Sequence, residues 1–454
     1  MEIEGTEDRG CWDVAVVGAG AAGLVAAIRA AECGARVILL EKNRKPGVKI
    51  LMSGGTRCNL TNARGLRRLD GISGPVDPEF DPSLCRGLRA IQEAFGGSGW
   101  FLTPALRKFD VDQTVRMFES EGVAVKVESN GKIFPVTDRA IDVLAALRRR
   151  LDRSGALLVC ESPVVGIEPE RGARAEPLGF RILSRGRVWR CRCVVLAVGG
   201  CSYPGCGTTG EGYGFAQSLG HRVVPPRPAL VPLQVGTEWV QGLSGLAVPD
   251  VLASICEFGG TCLRQRREAV LFAHFGLTGP AILDLSGVVA RSEPSRALGL
   301  VLDFVPEMRA DELDRWFQSS LRVGRVCVLN RLSSMVPQRL AGCLLDESGI
   351  PRDRVGPELS RPERQKLVVA LKRLRLPILG TLGFEKAEVT SGGVDLAEVD
   401  HRTLQSHRVP GLFFAGEILD LDGPIGGYNF QAAWSTGWLA GETAAAVSRL
   451  EIAG

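Results

Sequence analysis

The stretch Asp13-Val-Ala-Val-Val-Gly18-Ala-Gly20-Ala-Ala-Gly23 is followed, eighteen residues after its last glycine, by the acid Glu41. Val14–Val17 is a short apolar run typical of a buried parallel strand, and the alanine-rich segment Ala21–Cys33 predicts a helix. Ala35–Leu40 is a second apolar strand. Together the three segments predict one βαβ unit with a glycine-rich first turn.

The three glycines and the acid each suit one part of a dinucleotide. Gly18 allows the tight turn after the strand, Gly20 lets the backbone approach a pyrophosphate at the helix N-terminus, and Gly23 lets the helix pack closely on the strand. Glu41 is placed to accept hydrogen bonds from ribose hydroxyls, and an acid there disfavours a 2′-phosphate. The unit therefore predicts bound FAD or NAD rather than NADP, with FAD as the first hypothesis.

A second glycine pattern, Gly205-Cys-Gly207-Thr-Thr-Gly210, lacks this context. Tyr203-Pro204 precedes it where a strand is needed, and no acid lies near position 230. The pattern predicts a loop, so we find no dedicated second nucleotide fold. NADH or NADPH is therefore expected only as a transient electron donor.

Length and charge permit a large protein with or without an RNA partner. The chain has 454 residues, of which 45% are hydrophobic, which is enough for two or three domains. Its formal net charge of +4 does not require an anionic partner. Basic clusters at Arg185–Arg192, Arg264–Arg267 and Arg361–Arg375 suit solvated surface or, alternatively, contact with RNA phosphates.

Targeting signals and metal-ligand spacings are not evident. Met1–Gly10 is polar and acidic, and no apolar run reaches the ~18 residues needed to span a bilayer. The thirteen scattered cysteines suit a reducing compartment, so we predict a cytoplasmic protein. Four scattered histidines predict no metal site, and Asp420-Leu-Asp422-Gly423 lacks the later ligands of a calcium loop.

Cys201 and Cys206 have two interpretations. A pair of cysteines five residues apart beside a flavin is compatible with a disulfide redox centre. The alternative is two loop thiols without a special role.

Further blocks along the chain resemble the BaiN/aminoacetone-oxidase-like flavoproteins. They are Lys42–Asn62, with Lys49-Ile-Leu-Met-Ser53-Gly54-Gly55-Thr-Arg57-Cys58-Asn59; Val194–Tyr213, with Gly199-Gly200 and Ser202-Tyr203-Pro204; Ala273–Pro280; and Ala387–Gln431, with Ala415-Gly416-Glu417 and Gly426-Gly427-Tyr428-Asn429. The resemblance extends from residue 13 to residue 431. Val48 stands where the family usually has Arg, and Thr56 stands where a third Gly is usual.

The predicted fold class is α/β, a two-dinucleotide-binding-domain flavoprotein with a discontinuous Rossmann-like FAD domain. Residues 11–205 form the first part of that domain and residues 381–454 the second. Residues 206–380 form an inserted β-barrel and helical domain, as the resemblance also implies. Within this domain the sequence near Pro225 changes to segments with β-strand patterns that are interrupted by proline. Helical patterns occur at Asp311–Leu321 and Leu329–Leu345.

Four local elements of the FAD domain are also predicted. Asn130-Gly131 predicts a hairpin turn between two short strands. Ile141–Leu151 is an amphipathic helix with a basic exposed face, and Leu157–Cys160 is another parallel strand. Ala432–Leu450 is the closing helix.

Residues remote in sequence must converge on FAD, because its pyrophosphate needs the first βα turn and its flavin lies further along the crevice. Glu417, after the strand Gly411–Ala415, is predicted as a second acidic FAD contact or, alternatively, as an acid capping a surface turn. Gly426-Gly427 can bring backbone N–H groups to the flavin, with Asn429 assisting, and the helix that follows stabilises reduced, anionic flavin. The predicted cofactor-binding residues are Gly18, Ala19, Gly20, Ala21, Ala22, Gly23, Glu41, Lys42, Lys49, Ser53, Gly54, Gly55, Arg57, Cys58, Asn59, Val164, Ala197, Gly199, Gly200, Gly416, Glu417, Gly426, Gly427 and Asn429.

The catalytic candidates are Tyr203, His274 and Cys58, with Tyr428 as a further side chain that could deliver a proton beside the flavin. For each of these four residues the alternative is a packing role.

Two functional classes are compatible with the sequence. The first is an FAD-dependent oxidoreductase, for which the resemblance implies reduction of conjugated C=C bonds in steroid-like substrates, oxidation of small amines, or reduction of uracil to dihydrouridine in ribosomal RNA. The second is a non-catalytic, FAD-containing protein that docks RNA.

Overall fold

A computed structural model describes residues 6–171, 177–257, 260–293, 297–321 and 326–450. The strands are β1 (Thr6–Val17), β2 (Val37–Leu40), β3 (Thr61–Asn62), β4 (Val125–Val127), β5 (Lys132–Pro135), β6 (Leu157–Val159), β7 (Val164–Arg171), β8 (Pro177–Ser184), β9 (Arg187–Leu196), β10 (Val223–Ala229), β11 (Leu233–Val235), β12 (Ala247–Glu257), β13 (Cys262–Ala273), β14 (Gly276–Thr278), β15 (Leu298–Asp303), β16 (Leu374–Thr381), β17 (Val389–Val394) and β18 (Leu412–Phe414). The helices are α1 (Ala21–Glu32), α2 (Val48–Thr56), α3 (Leu88–Ala94), α4 (Thr103–Lys108), α5 (Val111–Ser120), α6 (Ala140–Ser154), α7 (Glu211–Ser218), α8 (Glu238–Gly242), α9 (Pro280–Arg291), α10 (Ala310–Ser320), α11 (Val328–Leu332), α12 (Gln338–Glu347), α13 (Arg361–Lys372) and α14 (Tyr428–Leu450).

The chain divides into two compact units, Met1–Pro226 with Val389–Gly454, and Arg227–Glu388. The first unit contains a seven-stranded sheet in the order β6-β2-β1-β9-β8-β7, with β18 also paired to β9. β1 pairs in parallel with β2 on one side and β9 on the other, so its residues Val14–Val17 are buried on both faces of the sheet. The predicted Rossmann-like α/β fold is confirmed.

Helices α1 and α14 pack backbone to backbone against each other. A Cβ atom at Gly437 would come within 2.3 Å of the Ala22 carbonyl oxygen, and one at Gly441 within 2.2 Å of the Ala26 carbonyl oxygen. Only glycine permits this approach. The C-terminal helix thereby covers α1, whose N-terminus lies at the glycine-rich turn.

Several local elements appear where they are predicted. The turn at Asn130-Gly131 joins β4 to β5, which pair antiparallel. The predicted helix over Ile141–Leu151 is α6, and β6 pairs in parallel with β2.

Two predicted helix boundaries are wrong. The closing helix α14 begins at Tyr428 rather than at Ala432, directly after Gly426 and Gly427 with positive φ angles of 124° and 91°. The helix predicted over Leu329–Leu345 is two helices, α11 and α12. Pro337 lies between them, and proline disfavours a helical conformation in the residue before it.

The second unit contains a closed barrel with the strand order β11-β14-β13-β12-β15-β16. All its described pairings are antiparallel. In β15 the buried Leu298, Leu300 and Leu302 alternate with partly exposed residues, as expected for a strand with one face toward a core. Helices α8 to α13 complete the unit, so the predicted barrel-plus-helix architecture is present.

The unit boundaries fall later than the domain limits that the sequence suggests, at 227 and 388 rather than 206 and 380. Helix α7 belongs to the first unit, where Gly212 lies so close to Val198 that a Cβ atom would approach its Cγ2 to 2.1 Å. Residue 380 lies inside β16, a barrel strand. Over the described ranges, the helices are all too short or too polar to cross a bilayer.

A buried histidine cluster lies within the first unit. His221 Nδ1 is 3.2 Å from Glu398 Oε2, and His221 Nε2 is 2.8 Å from Ser406 Oγ. The Ser406 hydroxyl already accepts the backbone N–H groups of Arg408 and Val409, at 2.9 and 2.8 Å, so its proton is directed to Nε2. This arrangement suits neutral His221.

We expect the free energy of unfolding to fall as pH decreases through about 6.5, because burial lowers the pKa of folded His221 below its ordinary value. The Glu398 carboxylate opposes this effect, and Arg408 adds to it. Below the ordinary pKa the unfolded chain binds a proton that the folded chain does not. The free energy of unfolding, measured with urea at several pH values between about 5 and 7, should depend less steeply on pH for His221→Gln than for the parent. Identical slopes would contradict this expectation.

Candidate active site

The first βα turn is a set of close backbone contacts. Gly18 has a φ of 95°, and a Cβ atom there would lie 2.6 Å from the Ala197 carbonyl oxygen. At Gly23 a Cβ atom would lie 1.8 Å from the Gly18 carbonyl oxygen. These two glycines are therefore required by the fold itself.

Gly20 differs from these two glycines because a Cβ atom there would meet no protein atom within 4 Å. Gly20 is the N-cap of α1, no side chain caps this helix end, and no acidic residue lies in its first turn. A helix N-terminus of this kind presents N–H groups and positive potential. The open space beside Gly20 thus suits an anionic group such as a pyrophosphate.

Glu41 lies at the end of β2 and is almost fully buried. Its Oε2 accepts the Ala19 N–H at 2.8 Å, and its Oε1 accepts the Asn43 N–H at 2.8 Å. An ionised carboxylate has about four acceptor positions, so two are left for hydroxyl donors. Glu41 therefore holds the turn in shape and can still accept from a ribose.

Lys49 and Glu417 form an ion pair of 2.7 Å, although the sequence predicts each only as a separate cofactor contact. Lys49 Nζ also donates to Ser202 Oγ at 2.5 Å, and Ser202 Oγ donates to Glu417 Oε1 at 2.7 Å. The Thr390 N–H donates to the same oxygen at 2.8 Å. We call these residues the Lys49–Ser202–Glu417 network.

Ser202 and Thr390 are site residues that the sequence reasoning missed. Both lie inside the family-like blocks, which is the signal that could have identified them. The Thr390 hydroxyl accepts the N–H groups of Cys201 and Ser202, at 2.8 and 3.2 Å. Segments around residues 49, 202, 390 and 417 therefore meet at one place in the first unit.

Lys42 and Gly416 link other parts of the first unit. Lys42 Nζ donates to Thr209 Oγ1 at 3.0 Å and to Glu211 Oε2 at 2.9 Å, so its charge is already partnered. Gly416, with a φ of 76°, approaches α1 so closely that a Cβ atom would lie 2.8 Å from the Ala22 Cβ.

The loop after α2 has an unusual backbone. Ser53 leaves the helical conformation, and Gly54 and Gly55 have positive φ angles of 56° and 67°. Thr56 and Cys58 also have positive φ, at 70° and 60°, although L side chains disfavour that region. Thr56 is the position where the family usually has a third glycine, and this strain is the consequence of the departure.

Arg57 is held by the protein in this structure. Its guanidinium lies 2.7 Å from Glu128 and 3.2 Å from Asp138, and it stacks 3.9 Å from the centre of the Phe134 ring. The hydrogen bond that Arg57 donates to the Glu128 carboxylate raises the pKa of Arg57. A role for Arg57 toward FAD would require it to exchange or share these partners.

Cys58 and Asn59 face the protein interior. The Cys58 side chain is fully buried, and burial raises the pKa of its thiol to about 12. With its amide oriented to satisfy its neighbours, Asn59 donates to the Ile133 and Thr61 carbonyl oxygens and accepts the Gly427 N–H at 2.9 Å. The predicted approach of the Gly427 N–H to a flavin therefore competes with this bond.

The segment before α14 is interlocked with β3. Asn62 donates to the Gly426 carbonyl oxygen at 2.9 Å, and a Cβ atom at Gly427 would lie 2.4 Å from the Thr61 carbonyl oxygen. Asn429 accepts the Gly423 N–H at 2.8 Å and donates to the Gly423 carbonyl oxygen at 2.9 Å. Asn429 thus shapes this loop.

The remaining predicted residues lie on two segments. Ala197 follows β9, and Gly199 and Gly200 lead into the loop with Tyr203, which is half-buried with a φ of 52°. Val164 begins β7, two residues after Ser162, whose N–H donates to the Glu41 carbonyl oxygen.

His274, Tyr428 and the cysteine pair complete the set. His274 belongs to the second unit, in the turn between β13 and β14, where it is exposed and meets the Phe275 ring edge to face. Tyr428 is buried at the start of α14. Cys206 Sγ contacts Met52 Sδ at 2.9 Å, and Cys201 Sγ lies beside Gly210.

Comparison with known proteins identifies relatives over almost the whole chain. The HI0933-like protein Rossmann domain family matches residues 12–71 and 85–443. A ribosomal RNA dihydrouridine synthase of Escherichia coli is 32% identical over 435 residues, which cover 94% of this chain and 96% of that protein. A 3-dehydro-bile acid delta(4,6)-reductase of Clostridium scindens is 31% identical over 436 residues, which cover 95% of this chain and 98% of that protein.

Among solved structures, the 3-ketosteroid-delta4-(5alpha)-dehydrogenase of Rhodococcus jostii shares the fold. Its TM-score is 0.53 at 15% identity, and the match covers 96% of this chain and 97% of that chain.

Proposed function

Since this chain belongs to the HI0933-like Rossmann-domain family and is an FAD-dependent oxidoreductase, we propose that it reduces a C=C bond conjugated to a carbonyl group. The observation that supports this most is the pair of full-length relatives. Their names indicate different substrates, an RNA base and a bile acid, at nearly equal identity to this chain. Dihydrouridine is uridine with two hydrogens added to a ring C=C bond beside a carbonyl, so both names fit one reaction type.

The residues of the first unit fit FAD. The open space at Gly20 and the uncapped N-terminus of α1 would hold the pyrophosphate, and the two remaining acceptor positions of Glu41 would hold the ribose hydroxyls. When bound, FAD supplies two-electron hydride transfer.

The chain's own residues would supply orientation and a proton. Reduction of a C=C bond requires a proton at the carbon that does not receive the hydride, and a phenol suits that role. We favour Tyr203 over Cys58, because Cys58 is fully buried and Tyr203 is half-buried beside Ser202. The Lys49–Ser202–Glu417 network would hold the Tyr203 loop in place.

The test is an anaerobic half-reaction experiment. NADH or NADPH, the electron donors we propose, should bleach the flavin band of the purified protein slowly, since no second nucleotide fold is predicted. A uridine-containing RNA, a steroid-like enone and dioxygen are then added separately. We expect either the RNA or the enone to restore the flavin band faster than buffer does, with product heavier by two hydrogens. Bleaching by a small amine alone, with no reaction of either alkene, would instead indicate amine oxidation.

Exposed arginines of the second unit support RNA as the proposed substrate class. Arg264, Arg373 and Arg375 are exposed, and none of them has a carboxylate partner in the parts of the chain that the structure describes. Their neighbours in the same basic clusters are paired, as Arg266 is with Asp284 and Arg364 with Asp314. We propose that the three unpaired arginines contact RNA phosphates.

Replacing Arg264, Arg373 and Arg375 by Gln should weaken RNA binding and reduce its salt dependence. Each lost phosphate contact lowers the slope of log affinity against log salt by about 0.7 to 0.9. The control replaces Arg309, Arg315 and Arg352, which are exposed but paired with acids. Equal slopes of log affinity against log salt for the two triple variants would refute the contact between the three arginines and RNA phosphates.

The alternative function is a non-catalytic protein that docks RNA. RNA binding that survives removal of FAD, in a protein whose flavin is bleached by no electron donor, would favour that alternative.

A further inference from the structure

Two cysteines face each other at the end of the longest hairpin of the second unit. β12 and β13 pair antiparallel, and beyond a register shift Cys256 is the partner of Cys262. The neighbouring Glu257 N–H donates to the Thr261 carbonyl oxygen at 2.9 Å, which places the cysteines at a non-hydrogen-bonded position of the ladder. Cα atoms at such positions are ~4.5 Å apart, within the range of about 4.4 to 6.8 Å that a disulfide requires.

The two cysteines differ in exposure. The Cys262 thiol donates to the Arg264 carbonyl oxygen at 3.8 Å. Cys262 is exposed, whereas Cys256 is buried. Burial raises the pKa of Cys256, and Arg375 and Arg373 oppose that shift. An accessible thiol beside a protected one is the arrangement in which the first reacts with an oxidant and the second completes a disulfide.

We propose that Cys256 and Cys262 form a reversible cross-strand disulfide when the protein meets a peroxide. The Cys262 thiolate attacks one peroxide oxygen, which breaks the O–O bond and leaves a sulfenic acid and hydroxide. The Cys256 thiolate then attacks the Cys262 sulfur and displaces its hydroxyl as water, after one proton is taken up. In sum, two thiols and one hydrogen peroxide become one disulfide and two waters, and a dithiol reductant restores the thiols.

The bond closes a loop of only five residues, Glu257–Thr261. Cys256 and Cys262 are already paired across the two strands, so the disulfide requires little backbone movement. It joins the ends of β12 and β13 close to Arg375 of β16 and to Arg373, which precedes that strand. Cys201 and Cys206 have no comparable arrangement, because the Cys206 sulfur contacts Met52.

The experiment treats the FAD-loaded protein with hydrogen peroxide, denatures it in N-ethylmaleimide and analyses the tryptic peptide that ends at Arg264. No Lys or Arg lies between the two cysteines, so both remain in this peptide. We expect a peptide that is lighter by two hydrogens and carries no label on either cysteine, and that regains both labels after dithiothreitol. Cys262→Ser should abolish this product. Cys256→Ser should instead drive Cys262 to sulfinic and sulfonic acids, since no resolving thiol is present.

The control is Cys11→Ser, which removes the other exposed thiol among the residues that the structure describes. This variant should form the Cys256–Cys262 disulfide at the parental rate. The proposal is overturned if Cys256 remains fully labelled after peroxide treatment of the parent, or if the parent loses Cys262 to sulfinic acid without an intermediate disulfide.

Discussion

Gly20→Val should yield a folded protein that does not retain FAD. Gly20 has φ −81° and ψ −166°, which valine adopts without strain, and a Cβ atom there would meet no protein atom within 4 Å. The side chain would instead enter the space at the N-terminus of α1 where we propose that the pyrophosphate binds. We expect a loss of about 1 to 3 kcal/mol or more in FAD binding, measured as flavin absorbance after desalting.

The matched control for Gly20→Val is Gly214→Val. Gly214 is exposed on α7, and a Cβ atom there also meets open space. Both variants should have the unfolding midpoint of the parent apoprotein, and only Gly20→Val should lose flavin. Retention of FAD at the parental level would show that the cofactor does not lie at this helix end.

Glu41→Gln and Glu41→Ala separate the two roles of this carboxylate. Glu41→Ala leaves the Ala19 and Asn43 N–H groups without their acceptor, so both the apoprotein and FAD binding should be weakened. Glu41→Gln retains one acceptor oxygen and should lose less stability. Equal FAD affinity of the parent, Glu41→Gln and Glu41→Ala would show that Glu41 does not contact the cofactor.

Tyr203→Phe should slow substrate reduction by about 10² to 10⁴-fold while the flavin spectrum and FAD content stay unchanged. The change removes one hydroxyl and retains the ring, so the loop with its left-handed Tyr203 backbone should keep its shape. Single-turnover mixing separates reduction of the flavin by nicotinamide from its re-oxidation by substrate. Only the second half-reaction should become slow, since the proton is needed there.

The other candidates give the matched comparison for Tyr203→Phe. His274→Gln changes an exposed turn of the second unit, and Tyr428→Phe changes a buried ring at the start of α14. Cys58→Ser replaces a buried thiol that stays protonated at neutral pH. A large rate loss in one of these, with normal kinetics in Tyr203→Phe, would transfer the proton-donor role to that residue.

Much of the fold is readable from short stretches of sequence. The apolar run Val14–Val17, the alanine-rich segment after it and the second apolar strand specify a βαβ unit, because periodicity and glycine requirements act within a few residues. The family resemblance is likewise confirmed by whole-chain matches, since blocks such as Lys49–Asn59 and Gly426–Asn429 are contiguous. The insertion of a barrel with helices also follows from the local strand and helix patterns and from the family resemblance.

Helix ends and unit boundaries depend on more than local pattern. The helical pattern over Leu329–Leu345 continues across Pro337, where the chain breaks into α11 and α12. The segment 206–226 resembles a loop and helix of either domain, and its packing at Gly212 against Val198 assigns it to the first unit. Such choices rest on which surface is available to cover an apolar face.

The sequence by itself determined the class of cofactor, because the glycine-rich turn and the acid after it are encoded in one contiguous motif. Only the tertiary structure decided which partners the polar residues take. Lys49 pairs with Glu417 through Ser202, Arg57 is held by Glu128 and Asp138, and Asn59 accepts the Gly427 N–H. A side chain's hydrogen-bond capacity is known from its chemistry, but its partner depends on where distant segments of backbone meet once the core has packed.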